Sequence, residues 1–267
     1  MMMEFLSLFT DAERRSGPPR FLCVIPVVFL SLAPLASGTQ PAAATLPRAS
    51  DGKPDLSGIW QVLNTADWNI QDHQAQPGVP AGQGVVEGNE IPYQPWAVAK
   101  RKENFENRAV ADPLAKCHLP GVPRITYTPL PFQIFQAPKQ TTVLYEYAHA
   151  NRVIYTNGSK HPDGRIDWWL GDSRGHWEGD TLVVDLVDFN DQTWFDRAGN
   201  FHSDELHVVE RYTLIDRDHI QYEATIEDAK VFTRPWKMGM VLYRRKEKKI
   251  QLLEFECYGF EYEKYYP

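Results

Sequence analysis

Short runs of alternating apolar and polar residues dominate the chain after residue 141, which is the pattern of half-buried β-strands. Asn157-Gly158 and Glu178-Gly179 are two-residue turn signals between such runs. Connections this short require antiparallel neighbours. We therefore predict an all-β fold, an up-and-down antiparallel β-barrel, because closure removes the exposed strand edges. The predicted strands cover residues 141–149, 151–156, 176–177, 180–188, 206–215, 219–227, 236–245 and 250–258.

The preceding part of the chain has a different pattern. Residues 56–63 predict the first strand, whereas residues 64–140 are interrupted repeatedly by proline, which prevents long strand ladders. Only residues 96–107 favour a helix. We expect residues 64–140 to be an irregular insertion, serving as a lid, plug or binding loop at one end of the barrel. Residues 39–55 predict a linker, and residues 56–267 a single barrel domain.

The N-terminal segment predicts export. Three arginines, Arg14, Arg15 and Arg20, precede an apolar run at residues 21–36, and small residues follow it. This arrangement is typical of a signal peptide, here residues 1–38, and the run is shorter than a spanning helix requires. We expect a secreted or periplasmic protein without stable membrane insertion after cleavage. An uncleaved anchor is the alternative.

Composition narrows the partners. The formal charge of −7 lacks the basic surplus that neutralises phosphates, so we expect no nucleic-acid partner. Aromatic residues make up 12% of the chain and suit either a core or an apolar ligand. Cys117 and Cys257 follow the predicted signal peptide and could form a disulfide or remain separate buried thiols. The oligomeric state does not follow from these features.

Glu210 is the first candidate for chemistry. In the predicted strand at residues 206–215, it shares one face with Leu206, Val208, Tyr212 and Leu214. A carboxylate on an otherwise apolar face is costly to ionise, which suits a general acid or base. The alternative is a glutamate that pairs with a structural arginine.

A second group of candidates follows the strand at residues 141–149. Glu146, His149 and Arg152 would meet at one barrel mouth if the chain bends near residue 150. Histidine exchanges protons near neutral pH, and arginine can hold a carboxylate or enolate in a forked grip. The alternative is that all three are rim residues and salt-bridge partners.

The polar loop at residues 188–207 supplies a third group. Asp196 and His202 could form an acid–base couple, with Trp194 stacking on a ligand. Alternatively, the loop carboxylates make turn hydrogen bonds and Trp194 plugs the barrel end. The spacing of His202 and His207 around Glu205 suits a metal site poorly, so we expect no metal.

Several further side chains are candidates for substrate contact. Tyr147, Tyr212 and Trp236 could line the ligand together with Trp194, although core packing alone would explain Trp236. For Asp172, we favour a structural role in stabilising a loop over a catalytic role. No phosphate-binding glycine loop, nucleophile elbow or paired CxxC site occurs, and we therefore expect no cofactor.

Gly58-Ile59-Trp60 ahead of a strand meander resembles the Gly-x-Trp opening of lipocalins and the wider calycin group, in which the tryptophan closes one barrel end. The chain is also similar to an exported bacterial family of lipocalin-like appearance. The resemblance implies a calycin-like barrel, and that family has no established activity. The stretches that carry it are DGKPDLSGIW (51–60), DPLAKCHLPGVPR (112–124), WEGDTLVV (177–184) and HVVERY (207–212).

A barrel of about eight strands has room for one small ligand. Our first hypothesis is a cofactor-free acid–base enzyme, a cyclase, isomerase or lyase acting on a small hydrophobic carbonyl or polyene, because such roles are known for similar barrels. Glu210 would be the acid or base, His149 or His202 its partner, and Arg152 the oxyanion holder. The alternative is a non-catalytic carrier of a small apolar ligand. A module that docks through residues 64–140 is a third class.

Overall fold

The computed structural model describes residues 45–76 and 79–257, so the predicted signal peptide at residues 1–38 lies outside the described residues. Nine strands form a closed barrel in sequential order, which confirms the predicted all-β barrel. β1 closes it by pairing with both β2 and β9. The strands are β1 (Gly58–Val62), β2 (Phe132–Ala137), β3 (Gln140–Tyr145), β4 (Asn151–Tyr155), β5 (Asp172–Glu178), β6 (Thr181–Val187), β7 (His207–Asp216), β8 (His219–Glu227) and β9 (Trp236–Arg244).

The prediction of purely antiparallel strands is wrong at one pairing, between β4 and β5, which we call the parallel seam. β4 and β5 run parallel and share only two residue pairs, Ile154 with Ser173 and Tyr155 with Arg174. Asn157-Gly158 is therefore not a hairpin turn. It opens the connection at residues 156–171, which runs back to the starting end of β4, as a parallel crossover requires. The result is the shortest strand pairing in the barrel wall.

The predicted insertion is shorter than residues 64–140, because β2 already begins at Phe132. Prolines 129, 131 and 138 flank this strand and conceal it in the sequence. The expected helix is present as α1 (Pro95–Glu106), followed by the short helices α2 (Arg108–Ala111) and α3 (Arg124–Tyr127), with 3₁₀ turns at Glu87–Asn89 and Pro113–Lys116. Within residues 45–76 and 79–257, no helix combines the length and apolarity needed to span a bilayer.

The insertion covers one barrel end. It leaves β1 at the end where β6 connects to β7 and β8 connects to β9, and it bonds to both connections. Gln94 N donates to Val231 O at 2.8 Å, and Arg197 N donates to Asp67 O at 3.0 Å. These contacts hold the segment against that end of the barrel.

The C-terminal segment differs from the strand expected at residues 250–258. Only an isolated bridge between Tyr147 and Phe255 occurs there, and residue 258 lies outside the described residues. A disulfide joins Cys117 to Cys257, with 5.4 Å between their Cα atoms. The insertion and the C-terminal segment are thus covalently linked.

Trp60 closes the other barrel end. It is fully buried, its indole Nε1 donates to Leu56 O at 2.9 Å, and the Arg244 guanidinium lies 4.2 Å from its ring. Gly58 makes this packing feasible: its φ is +142°, and a Cβ there would stand 2.0 Å from Arg244 Nη1. The Gly-x-Trp stretch therefore works as a unit in which glycine leaves room for the arginine.

Candidate functional site

The interior of the barrel contains a buried carboxylate. On β7, alternate residues point inward, so Glu210 lies between Val208 and Tyr212 on the core side, as the strand period predicts. Glu210 Oε1 accepts hydrogen bonds from the hydroxyls of Tyr212 at 3.1 Å and Tyr222 at 2.7 Å. Glu210 Oε2 accepts a hydrogen bond from Arg152 Nη2. Both carboxylate oxygens are thus occupied.

Arg152 is the counter-ion of Glu210. It enters the interior from β4, and its Nε donates to Ser173 Oγ of β5 at 2.9 Å across the parallel seam. Burial alone would lower the pKa of Arg152, but the charge of Glu210 reverses this and holds the pKa above its usual value. Its Nη1 is buried without a hydrogen-bond partner in the described part of the chain. One donor of a fixed guanidinium is therefore unused.

The surrounding tyrosines are kept neutral. Burial first, and then the negative charge of Glu210, raise the pKa values of Tyr212 and Tyr222 well above 10. Burial likewise raises the pKa of Tyr145, while the charge of Arg152 opposes that shift. The hydroxyls of Tyr212 and Tyr222 consequently act as hydrogen-bond donors to the Glu210 carboxylate across the whole physiological pH range.

A cavity of about 460 Å³ opens beside the parallel seam, and we call it the seam cavity. It combines aromatic and aliphatic walls with the polar side chains of β4 and β5. Its position follows from the short β4–β5 pairing, which leaves room between the two strands. The lining residues used below are Leu119, Arg152, Trp168, Trp169, Asp172 and Arg174.

Arg152 belongs to both the seam cavity and the interior network, whereas Glu210 does not. Glu210 lines none of five cavities of about 310 to 700 Å³ in the described part of the chain. The carboxylate is 0% exposed, and all its contacts are to other protein groups. Arg152 therefore borders a cavity although it is only 3% exposed, and Glu210 borders none of these five.

The candidates after β3 are not brought together. Glu146 is buried and accepts a hydrogen bond from Leu253 N at 2.9 Å, so it fastens the C-terminal segment. His149 is exposed and lies 3.6 Å from Glu256. The Tyr147 hydroxyl donates to His118 O at 3.1 Å. Of the three charged candidates in this stretch, only Arg152 enters the barrel.

Asp196 and His202 are both buried, and each has other partners. Asp196 accepts hydrogen bonds from Ile70 N at 2.9 Å and from Asn200 Nδ2 at 2.6 Å. His202 Nε2 lies 2.6 Å from Thr193 Oγ1. Burial raises the pKa of Asp196 to about 6 and lowers the pKa of His202. The two side chains tie loops together, and the hydrogen bonds of the described residues do not couple them.

The aromatic candidates pack into the end of the barrel. Trp236 is buried, with its ring centroid 5.5 Å from that of Phe195 in an edge-to-face arrangement. Trp194 forms a bridge with Phe201 and lines a cavity of about 310 Å³ under the insertion. Neither residue lines the seam cavity. Of the four aromatic candidates, Tyr212 alone contacts Glu210.

The histidines considered for a metal have other partners. His207 Nε2 lies 2.5 Å from Asp185 Oδ1, and His207 Nδ1 lies 3.1 Å from Glu227 Oε2. Burial tends to lower the pKa of His207, but these two carboxylates raise it. Glu205 instead pairs with Lys230 at 3.1 Å. Across residues 45–76 and 79–257, no group of three metal-ligating side chains has suitable geometry.

Sequence reasoning missed several residues around Arg152. Tyr222 faces inward on β8 between Ile220 and Ala224, and the same strand period that identified Glu210 would have found it. Ser173, Trp168 and Trp169 could not be found in this way. Ser173 bonds to Arg152 across the parallel seam, and Trp168 and Trp169 line the same cavity as Arg152, which no local pattern indicates.

A second charge cluster, largely buried, joins the insertion to the β6–β7 connection and was also missed. Arg124 donates from Nε to Asp67 Oδ1 at 3.0 Å and from both Nη atoms to the carboxylate of Asp112 at 2.9 and 3.0 Å. Arg197 Nε donates to Asp67 Oδ2 at 2.9 Å. We call these four residues the insertion cluster. Asp112 and Arg197 also line a cavity of about 570 Å³, the insertion cavity.

No protein-family model matches the chain, and no curated protein or solved structure is similar enough to count as a match. The closed barrel is consistent with a calycin-like fold. Membership of the exported bacterial family stays a prediction from the sequence stretches that resemble it.

Proposed function

We propose that this protein is a non-catalytic binding protein for a small apolar molecule that carries a carbonyl group, held in the seam cavity. The observation that carries the proposal is Arg152. It lines this cavity, it is fixed by Glu210 and Ser173, and its Nη1 donor has no partner among the described residues. A pre-positioned donor of this kind orients a ligand in an otherwise apolar site.

The charge balance favours a neutral acceptor. Glu210 neutralises Arg152, and Asp172 accepts hydrogen bonds from Arg174 Nε at 2.6 Å and Nη2 at 2.7 Å. An anionic ligand would therefore meet two arginines that are already paired, in a low-dielectric setting where excess charge is costly. A carbonyl oxygen needs only the free N–H donor of Arg152.

The walls favour an apolar, planar body. Trp169 is partly buried, and the Trp168 side chain is 45% exposed at the cavity, so aromatic surface is available to a ligand. Leu119 adds an aliphatic wall. A volume of about 460 Å³ suits a molecule of one or two fused rings.

The disulfide supports the proposed location outside the cytoplasm. Disulfides such as Cys117–Cys257 persist in oxidising compartments and are rare in the cytosol. Together with the signal-like segment at residues 1–38, it supports a secreted or periplasmic carrier.

Fluorescence titration with two probes tests the proposal. Prodan is a neutral naphthalene with a ketone and an environment-sensitive emission, and 2-dimethylaminonaphthalene lacks the ketone. We expect the wild-type protein to bind both. The double variant Arg152→Met/Glu210→Gln removes the donor and its counter-ion together, and it should bind prodan about 10-fold more weakly, with little change for the second probe.

The control removes an ion pair of the same composition from the barrel exterior. Arg211 Nη1 lies 2.9 Å from Glu178 Oε2 on the outer face, so Arg211→Met/Glu178→Gln should leave both affinities unchanged. Trp168→Ala, at an exposed site that the fold does not need, should weaken both probes. Equal losses of the two probes in the interior double variant, or no loss with Trp168→Ala, would overturn the proposal.

A cofactor-free enzyme is the second candidate, because Asp172 lines the same cavity as Arg152. Asp172 Oδ2 lies 2.6 Å from His161 Nδ1, which makes a carboxylate–histidine pair at the cavity edge. Its carboxylate could take a proton from the carbon next to a bound ketone while Arg152 Nη1 stabilises the enolate oxygen. A solvent proton would then return to the carbon. Glu210 has less support as the base, since it does not line the seam cavity, whereas Asp172 does.

Deuterium exchange separates the two candidates. With 2-acetylnaphthalene in D₂O, an enzyme should exchange the methyl protons faster than buffer, and Asp172→Asn should reduce that rate about 100-fold. Glu210→Gln should leave probe binding intact in either case. Exchange at the buffer rate would leave the binding protein as the function.

A further inference from the structure

The insertion cavity, of about 570 Å³, is lined by two arginines whose guanidinium groups each lie over an aromatic ring. The Arg197 guanidinium is 4.3 Å from the centroid of the Trp68 ring, and the Arg108 guanidinium is 4.1 Å from that of Phe105. All four residues line the cavity. Stacking of this kind fixes the orientation of a guanidinium before a ligand arrives.

Each of these arginines keeps unused donors. Arg197 bonds through Nε to Asp67, and its two Nη atoms make no hydrogen bond to the described residues. Arg108 bonds through Nη1 to Phe105 O at 2.7 Å, and its Nη2 and Nε make no hydrogen bond within the same residues. His73 also lines the cavity, but its Nδ1 donates to Gln71 O at 2.8 Å, so Nε2 of the neutral ring is an acceptor and gives an anion no donor. The cavity thus offers two oriented guanidinium groups with unused donors.

The carboxylates in the wall do not cancel these donors. Asp112 is already neutralised by both Nη atoms of Arg124, and Asp67 is shared by Arg124 and Arg197. The insertion cluster is therefore neutral as a unit. Glu106 stands at the wall and pairs with Lys102 at 3.8 Å. Arg108 thus adds a positive charge to the cavity, and its Nε and Nη2 donors are free to bind a ligand.

We infer that the insertion cavity binds a small organic dianion, with Arg197 and Arg108 each gripping one acidic group. Guanidinium forks match the oxygens of carboxylates and phosphates in a bidentate manner. The shared chemistry is a pair of oxyanion charges on one small molecule, found in dicarboxylates and in phosphate monoesters. This site differs from the seam cavity through Arg108, which has no carboxylate partner among the described residues, whereas Arg152 and Arg174 of the seam cavity each have one.

Isothermal titration calorimetry at constant ionic strength tests the inference, with succinate as the dicarboxylate probe and glycerol 3-phosphate as the phosphate probe. We expect at least one to bind the wild-type protein with a Kd below about 1 mM. Arg108→Met should weaken it about 10-fold or more, since a charge-assisted bidentate contact is lost. Arg197→Lys, which keeps the charge beside Asp67 but loses the fork, should weaken it by a similar factor.

The control is Arg234→Met, which removes one positive charge at an exposed position 3.7 Å from Glu90. It should leave the affinity unchanged within about twofold. Equal weakening by Arg108→Met and Arg234→Met would overturn the inference, because it would indicate attraction to the general charge of the surface. Absence of binding by both probes up to about 10 mM would also overturn it. Prodan binding should not respond to Arg108→Met, so the two proposals fail independently.

Discussion

The barrel interior and the insertion solve the same physical problem with different means. In the barrel, Glu210 and Arg152 lie on regular strands, and two tyrosine hydroxyls complete the shell of the carboxylate. In the insertion, Arg124 sits on a four-residue helix and joins two carboxylates from irregular segments. Both clusters are buried, and a buried charge is tolerated only when it is paired and hydrogen-bonded.

The difference concerns what each cluster holds together. The interior pair links β4 to β7 within a wall that backbone hydrogen bonds already fix. The insertion cluster links residues 67, 112 and 124 of the insertion to residue 197 of the β6–β7 connection, and all four lie outside the barrel strands. Ion pairs therefore hold the segments of the insertion together, as backbone hydrogen bonds hold the strands of the barrel. The Glu210–Arg152 pair is less needed for the fold, which leaves Arg152 more available to bind a ligand.

The largest expected loss of stability follows from replacing the arginine of each cluster. Arg124→Met leaves Asp112 without a charged partner and Asp67 with Arg197 alone, and it should lower the free energy of unfolding by about 5 kcal/mol. Arg152→Met leaves Glu210 with its two tyrosine donors, so we expect a smaller loss of about 3 kcal/mol. Urea denaturation measures both losses. A greater loss for Arg152→Met than for Arg124→Met would contradict the comparison.

Removal of the disulfide should destabilise the insertion without affecting the barrel interior. Cys117→Ser should cost about 2–4 kcal/mol, since the bridge joins residues 140 positions apart and restricts the unfolded chain. We expect faster hydrogen exchange near residue 117 and unchanged exchange in β7 and β8. Cys257→Ser is the matched variant, and it should behave in the same way. Uniform loss of protection across the barrel would show that the two regions unfold as one.

The buried carboxyl group of Asp196 should make the stability of the protein depend on pH. Its folded pKa of about 6 lies above the ordinary value of 3.8, so the protonated form favours the folded state. This contribution is complete below about pH 4 and is lost as the pH rises through 6, by up to about 3 kcal/mol. Asp196→Asn cannot titrate. The difference in unfolding free energy between wild type and variant should therefore change between pH 4 and pH 7, and a constant difference would refute the shift.

The smallest expected effect concerns one donor of the interior shell. Tyr222→Phe removes the 2.7 Å hydrogen bond to Glu210 and should cost about 2 kcal/mol, because the acceptor is charged and buried. Tyr212→Phe removes the longer bond of 3.1 Å and should cost less. Thermal unfolding of the two variants gives the order, and the reverse order would contradict it.

The sequence was informative where one strand determines the outcome. Period-two alternation placed Glu210 and Tyr212 inside the barrel, and the helical stretch at residues 96–107 is present as α1 with a shift of one residue. The partner of Glu210 could not be foreseen, because Arg152 reaches it from β4 only after the barrel closes. Only the possibility of a structural arginine was foreseeable.

The features that the sequence did not predict depend on contacts between residues far apart in the chain. The parallel seam depends on the course of residues 156–171, and no local period indicates the direction of the strand that follows. β2 was concealed by prolines at its two ends. The insertion cluster joins residues up to 130 positions apart that have no common spacing, so nothing in the linear order signals Asp67, Arg124 or Arg197 as neighbours.

The most direct test of the seam cavity is a ¹H–¹⁵N spectrum of the tryptophan indole groups during titration with prodan. Trp168 and Trp169 line the seam cavity, whereas Trp68 lines the insertion cavity and Trp60 closes the far barrel end. We predict that the indole resonances of Trp168 and Trp169 shift in proportion to bound prodan, while those of Trp68 and Trp60 stay in place. Shifts at Trp68 or Trp60 without shifts at Trp168 and Trp169 would contradict the proposed site.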